Sequence, residues 1–94
     1  MVGFLEINIR NFAEGSQQSK VPYVEGWFVD KQYQGQGWGR LLMHSAEQWA
    51  LTRGFSELAS DTELHNKASI EIHKTLGFKE VERVVCFLKK LRQM

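Results

Sequence analysis

With 94 residues the chain has room for one small domain and a core without much reserve, and its 43% hydrophobic and 24% charged residues are ordinary for a globular protein. A formal net charge of +1 gives no electrostatic footprint for nucleic acid, and no apolar run is long enough for a membrane span or placed as in a signal peptide. The single cysteine, Cys86, excludes an internal disulfide and points to a reduced, cytoplasmic setting.

Gly3 to Arg10 alternates Phe4, Glu6, Asn8 and Arg10 against Leu5, Ile7 and Ile9, the period of a half-buried strand, expected to run antiparallel to the next. Asn11 to Pro22 is polar and reads as a long hairpin loop closing on the only proline. Val21 to Val29 is the second strand. A polar turn with glycines at 35, 37 and 39 follows, and then an amphipathic run in which Trp38, Leu41, Leu42, Ser45, Ala46 and Trp49 share one helical face. Gly54 closes that helix, with Arg53 favourably placed at its C-terminal end.

Phe55 to Ser60 is a short strand expected to return parallel to Val21–Val29 through a right-handed crossover. Asp61 to His65 is a polar link, and Asn66 can cap a second helix carrying Ser69, Ile72, His73 and Leu76 on one face, closed by Gly77. Val81 to Leu91 reads as a last strand, apolar on both sides and therefore central or covered. No repeat or internal linker interrupts the chain, so residues 1–94 form a single domain.

Strand, glycine loop and helix in that order make an anion site. Glycines let the backbone approach a bulky anion, and the unpaired N–H groups of the helix's first turn point at it with the positive end of the helix dipole. The loop is expected to hold a pyrophosphate. A Walker A loop would need Lys-Ser/Thr after its last glycine, where this chain has Arg40 and Leu41. A dinucleotide fingerprint would need Gly-x-Gly-x-x-Gly, whereas this is Gly-x-Gly-x-Gly. A plain connecting turn is the remaining alternative, and alternating glycines exceed what a connection requires.

Gln34-Gly35-Gln36-Gly37-Trp38-Gly39 resembles the Gln/Arg-x-x-Gly-x-Gly/Ala loop of the GNAT N-acetyltransferases, which binds the pyrophosphate of acetyl-CoA. Glu25 to Val29 resembles the strand before that loop, and Asn66 to Phe78, ending Leu76-Gly77-Phe78, the family's later helix and its exit. Gly3-Phe4-Leu5-Glu6, Tyr23-Val24-Glu25-Gly26, Ala59-Ser60-Asp61-Thr62 and His73 to Glu80 are most similar to the aminoglycoside 6′-N-acetyltransferases. The resemblance implies an α/β (α+β) fold, a mixed, mostly antiparallel sheet with two helices packed on it. It also implies an N-terminally truncated chain, because Gly3–Arg10 corresponds to the family's third strand.

The resemblance implies roles as well. Glu25 matches an acidic position that takes a proton from the acceptor amine, with a surface carboxylate as its plain alternative. The backbone of Trp27, Phe28 and Val29 would pair with the pantetheine arm and polarise the thioester carbonyl. Gln34, Gly35, Gln36, Gly37, Trp38, Gly39 and Arg40 would hold the phosphates, Lys31 could add charge, and Asn66 matches an asparagine near the pantetheine. Many family members carry a tyrosine where this chain has His73, and imidazole could replace it as the proton donor to the thiolate or simply pack. Asp61 and Glu63 could meet a polycationic acceptor, or be solvated loop charges. His44 and His65 are weaker candidates, no spacing suggests a metal site, and Cys86 lies in an apolar run away from any base.

The expected activity is direct acetylation of a primary amine from acetyl-CoA, with an aminoglycoside 6′-amine as acceptor. A polyamine or protein amine is the alternative acceptor, and a non-catalytic CoA-binding or dimerisation remnant the alternative role. No nucleic acid or membrane partner is expected. The first strand's open edge invites a homodimer, with strands shared between subunits.

Overall fold

The computed structural model describes residues 1–92. Three strands, β1 (Gly3–Arg10), β2 (Val21–Val29) and β3 (Ala59–Ser60), form one sheet in the order β1-β2-β3. The first two pair antiparallel from Gly3↔Val29 to Arg10↔Val21, and β3 pairs parallel with β2 at Tyr23↔Ala59 and Val24↔Ser60. Helix α1 (Trp38–Thr52) and helix α2 (Lys67–Thr75) follow β2 and β3 respectively. The sheet is mixed, and its long ladder is the antiparallel one.

The two sheet faces differ. Leu5, Ile7, Val24 and Trp27 point to the helix side, where they pack with Met43 and Ala46 of α1 and with Leu76 and Phe78 at the end of α2. The opposite face holds a smaller cluster of Ala13, Val21 and Tyr23 against Ala59.

Helix α1 departs from the expected face by about one residue. Its buried positions are Met43, Ala46 and Ala50, while Trp38 and Leu41 are exposed. The reason lies at Gly39, where an added Cβ would sit 3.6 Å from the Trp27 indole. That glycine and the two alanines let the helix lie close on the sheet, so the small residues set its rotation and the bulky ones turn outward. Ile9 is likewise exposed. In α2 the inward residues are Ser69, Ile70 and His73, with Ile72 outside.

Two further expectations are corrected. β3 is only a two-residue strand within the expected Phe55–Ser60. Val81–Leu91 is not a strand at all: it has no ladder partner, and Val85, Phe87, Leu88 and Leu91 are open to solvent. Apolar β-branched and aromatic residues form a strand only where an edge receives them, and the segment meets none. Cys86, expected within a covered strand, is exposed. The Cα radius of gyration is 15.4 Å, against ~12 Å for a compact chain of this length.

Candidate functional site

The glycine loop opens with one 3₁₀ turn at Lys31–Tyr33 and is tied back to β2 by Gln34, whose Nε2 donates to the Val29 carbonyl at 3.0 Å. Gly35 and Gly37 take φ of +79° and +90°, a left-handed conformation that glycine adopts without strain. Nothing lies within 4 Å of where a Cβ would stand at either. Among the described residues, none of the main-chain N–H groups from Gly35 to Arg40 donates a main-chain hydrogen bond, and Gly37, the N-cap of α1, supplies no side-chain cap. Buried amides of this kind would be costly; here they face open space at the positive end of a fifteen-residue helix. The loop therefore meets the requirements of a diphosphate site.

The Trp27 indole N–H donates to the Gly39 carbonyl at 3.0 Å, which fixes the start of α1 beside β2. Next to it a cavity of about 390 Å³ is lined by Gly37, Arg40, Leu41, Met43, His44, Glu47, Thr75 and Leu76. Arg40 thus stands at the anion end of a cleft between α1 and α2. His44 lines the same cleft, whereas Lys31 and His65 are exposed and outside it. Gln36 bonds within its own loop, to the Gln32 carbonyl, and Trp38 is partly exposed.

Beyond Val24, β2 continues to Val29 with no strand on the β3 side among the described residues, because the parallel pairing ends at Ser60. This opening between diverging parallel strands leaves the edge of Glu25, Trp27 and Phe28 free to pair with an extended ligand. Phe28 is half exposed and touches Phe4, with ring centroids 5.7 Å apart. Asn66 is engaged at the start of α2. Its Oδ1 accepts from the Ser69 N–H at 3.0 Å and caps α2.

Glu25 owes its position to a β-bulge. Gly26 pairs with Glu6 and Val24 with Ile7, so Glu25 is the extra residue on β2, and bulges re-aim side chains near functional sites. Arg10 binds both of its carboxylate oxygens, and the same guanidinium lies 3.6 Å from the centroid of the Tyr23 ring. The Tyr23 hydroxyl donates to Asp61 Oδ2 at 3.0 Å. Glu25, Arg10, Tyr23 and Asp61 therefore form one polar chain on the face away from the helices. Arg10 holds the Glu25 carboxyl below its ordinary value, and burial, helped by the bond to Asp61, pushes the Tyr23 phenol up to about 12. Asp61 and Glu63 line a second cavity of about 860 Å³, in which acidic side chains outnumber basic ones; Glu25 is not among its walls.

His73 lies on the helix side. Its ring packs edge-on against Trp27 and Phe78, with centroids 5.3 and 5.2 Å away. Nδ1 is 2.7 Å from the Ser69 carbonyl, and Nε2 is 2.8 Å from Ser60 Oγ. A carbonyl only accepts, so Nδ1 carries a proton and the neutral ring accepts from Ser60 at Nε2. Both nitrogens of His73 are thus engaged, and no bare nitrogen faces the opening. Glu25 and His73 stand on opposite sides of the sheet.

Arg10, Tyr23 and Ser60 were not singled out by their residue types. The strand alternation carried a signal for the first two, since Arg10 pairs with Val21 and so shares a face with Tyr23. Ser60 carried none, because its importance comes from an α2 residue 13 positions away.

Comparison with known proteins accords with this geometry. Residues 1–78 match the acetyltransferase (GNAT) family. The aminoglycoside N(6′)-acetyltransferase type 1 of Klebsiella aerogenes is 46% identical over 90 residues, covering 96% of this chain and 59% of that protein. Its namesake from Serratia marcescens is 40% identical over 91 residues, covering 96% of this chain and 62% of that protein. The solved structure of AAC(6′)-Iy in complex with the bisubstrate analogue CoA-S-monomethyl-acetylneamine gives a TM-score of 0.87 at 34% identity, over 96% of this chain and 62% of that one. The chain thus spans 59% to 62% of the length of these relatives. With a strand, an open glycine loop and a helix N-terminus placed as described, and a family match running from the first residue to Phe78, the chain belongs to the GNAT acetyltransferase family.

Proposed function

We propose that the protein transfers an acetyl group from acetyl-CoA directly to a primary amine, and that the acceptor is the 6′-amine of an aminoglycoside. The observation that carries this reading is the row of unbonded amides from Gly35 to Arg40 at the start of α1, beside an unpaired β2 edge. Gln34, Gly35, Gln36, Gly37, Trp38, Gly39 and Arg40 would hold the phosphates, and the backbone of Trp27, Phe28 and Val29 would align the pantetheine arm. Once bound, acetyl-CoA supplies an acetyl group activated as a thioester. Asn66, which caps α2, would stand near the pantetheine as its match to the family's asparagine implies.

Asp61 and Glu63 receive the acceptor's ammonium groups, and the acidic excess of the larger cavity attracts a polycation toward them. Glu25 takes the amine proton through water or binds a second ammonium. Its pairing with Arg10 lowers its basicity, so the substrate must first displace the guanidinium. His73 is the source of the proton that reaches the leaving thiolate. The names of the relatives support the acceptor: enzymes called aminoglycoside N(6′)-acetyltransferase align along nearly all of this chain.

We further propose that the protein is a cytoplasmic homodimer. An exposed Cys86 suits a reducing compartment. The exposed apolar segment Val81–Leu91, with Phe87 and Leu88 at 91% and 90% exposure, is a strand in sequence and lacks an edge to join, and a second copy offers one.

Thiol release from acetyl-CoA in the presence of kanamycin or tobramycin tests the activity. Stoichiometric release with a monoacetylated product is expected. Release only with polyamines or basic peptides would change the acceptor, and CoA binding without release would make the protein a binder.

A further inference from the structure

His73 cannot meet a thiolate directly. Its Nδ1 is bound to the Ser69 carbonyl, its Nε2 to Ser60 Oγ, and Trp27 and Phe78 pack against its ring. On the Nδ1 side the Ser69 hydroxyl stands 3.4 Å away, whereas the shorter contact to a hydroxyl, 2.8 Å, runs from Nε2 to Ser60 Oγ, and that is the route considered for its proton. Ser60 is the last residue of β3, paired with Val24 at the point where β2 loses its parallel neighbour. Its backbone therefore ends the parallel ladder where the unpaired β2 edge begins, and Ser60 and His73 both line the larger cavity.

Resting on the acetyltransferase reading, we infer that Ser60 is the group that delivers the proton to the departing thiolate, with His73 behind it as the residue that positions and recharges it. The direction of the hydroxyl carries the logic. Neutral His73, protonated at Nδ1, takes a hydrogen bond from Ser60 and turns its proton away from the opening. Imidazolium donates from Nε2 to Ser60 Oγ and frees the hydroxyl proton to point outward.

The step balances. As the amine nitrogen bonds to the acetyl carbon and the carbon–sulfur bond breaks, Ser60 gives its Oγ proton to sulfur and takes the Nε2 proton of His73. His73 is left neutral, still donating from Nδ1 to the Ser69 carbonyl. The surplus proton on the new amide nitrogen passes to water, and a solvent proton returns to His73 through Ser60 before the next turnover. Ser60 is never acylated.

The test combines kinetics with the ligand-free protein. Ser60→Ala should lower kcat by about 100-fold, within the ordinary range for general acid–base groups, and leave the acetyl-CoA KM nearly unchanged. Ser60→Thr retains the hydroxyl and should restore most of the activity. Imidazole ¹⁵N shifts of the free wild-type protein should show His73 protonated at Nδ1 when neutral. Wild-type kcat in Ser60→Ala, an Nε2-protonated neutral His73, or an acetylated Ser60 trapped during turnover would each overturn the assignment. Were the wild type neither to bind CoA nor to release thiol, the acetyltransferase reading itself would fall, and the proton role with it. The ¹⁵N result separates that outcome from a wrong hydrogen bond.

Discussion

Arg10 holds Glu25 by both carboxylate oxygens, Nε to Oε2 at 2.7 Å and Nη2 to Oε1 at 2.5 Å, and stacks on Tyr23 with the same guanidinium. A fork-on-fork pair of this kind is the geometry a substrate ammonium has to replace. Arg10→Gln should therefore lower the apparent acceptor KM, whereas Glu25→Gln should raise it. The variant also releases the Glu25 carboxyl, whose pKa Arg10 depresses. A depressed carboxyl stabilises the fold above its unfolded value and loses that contribution as pH falls through the folded value. Arg10→Gln should accordingly move the Glu25 carbon-13 titration upward toward 4.5 and make acid stability less steep. An unchanged acceptor KM in both variants would remove the pair from the acceptor site.

Tyr23 predicts the behaviour at the opposite end of the pH scale. Its phenol is pushed up from 10.0 to about 12 by burial and by the bond to Asp61. A raised folded value means the neutral form is favoured, so the contribution is complete below pH 10 and lost as pH rises toward 12. Wild-type stability should decline over that window, and Tyr23→Phe should flatten the decline. Thermal melts between pH 8 and 12 on both proteins measure it.

Gly37 tests the loop apart from its chemistry. With φ at +90° and open space around its Cα, any side chain there meets backbone strain and no clash. Gly37→Ala should cost about 1–2 kcal/mol of stability. Calorimetry should also find CoA affinity reduced, because the first-turn amides of α1 shift with the turn. Full affinity in a destabilised variant would mean that these amides do not hold the phosphates.

The exposed segment makes a separate prediction about assembly. Phe87→Glu with Leu88→Lys should convert a dimer into a monomer by light scattering at micromolar concentration, since both side chains are almost wholly exposed within one chain. A wild-type monomer at that concentration would contradict the homodimer.

Much of this architecture was legible because it is local. β1, β2, the start of α1 and the Asn66 cap follow from alternation, glycine placement and capping chemistry over neighbouring residues, and all stand where the sequence puts them. What escaped was non-local. The rotation of α1 depends on Trp27 lying against Gly39, and the length of β3 on how far β2 has an edge to offer. Val81–Leu91 shows the limit most plainly: its residues favour a strand, and strand formation needs a partner that propensity cannot supply. At the site, Glu25 and His73 became candidates because their positions resemble the family's acidic and tyrosine positions. Arg10 and Ser60, which hydrogen-bond those two, become visible only when the strands are in register.

Thermal unfolding with and without CoA tests the central claim most directly, because the loop amides from Gly35 to Arg40 are expected to grip its diphosphate. At CoA 100 times above its dissociation constant, the fold should gain about 2.7 kcal/mol, or roughly 10 °C or more in Tm for a domain of this size. Inorganic pyrophosphate should reproduce part of the gain. A melting curve unmoved by millimolar CoA would contradict the account.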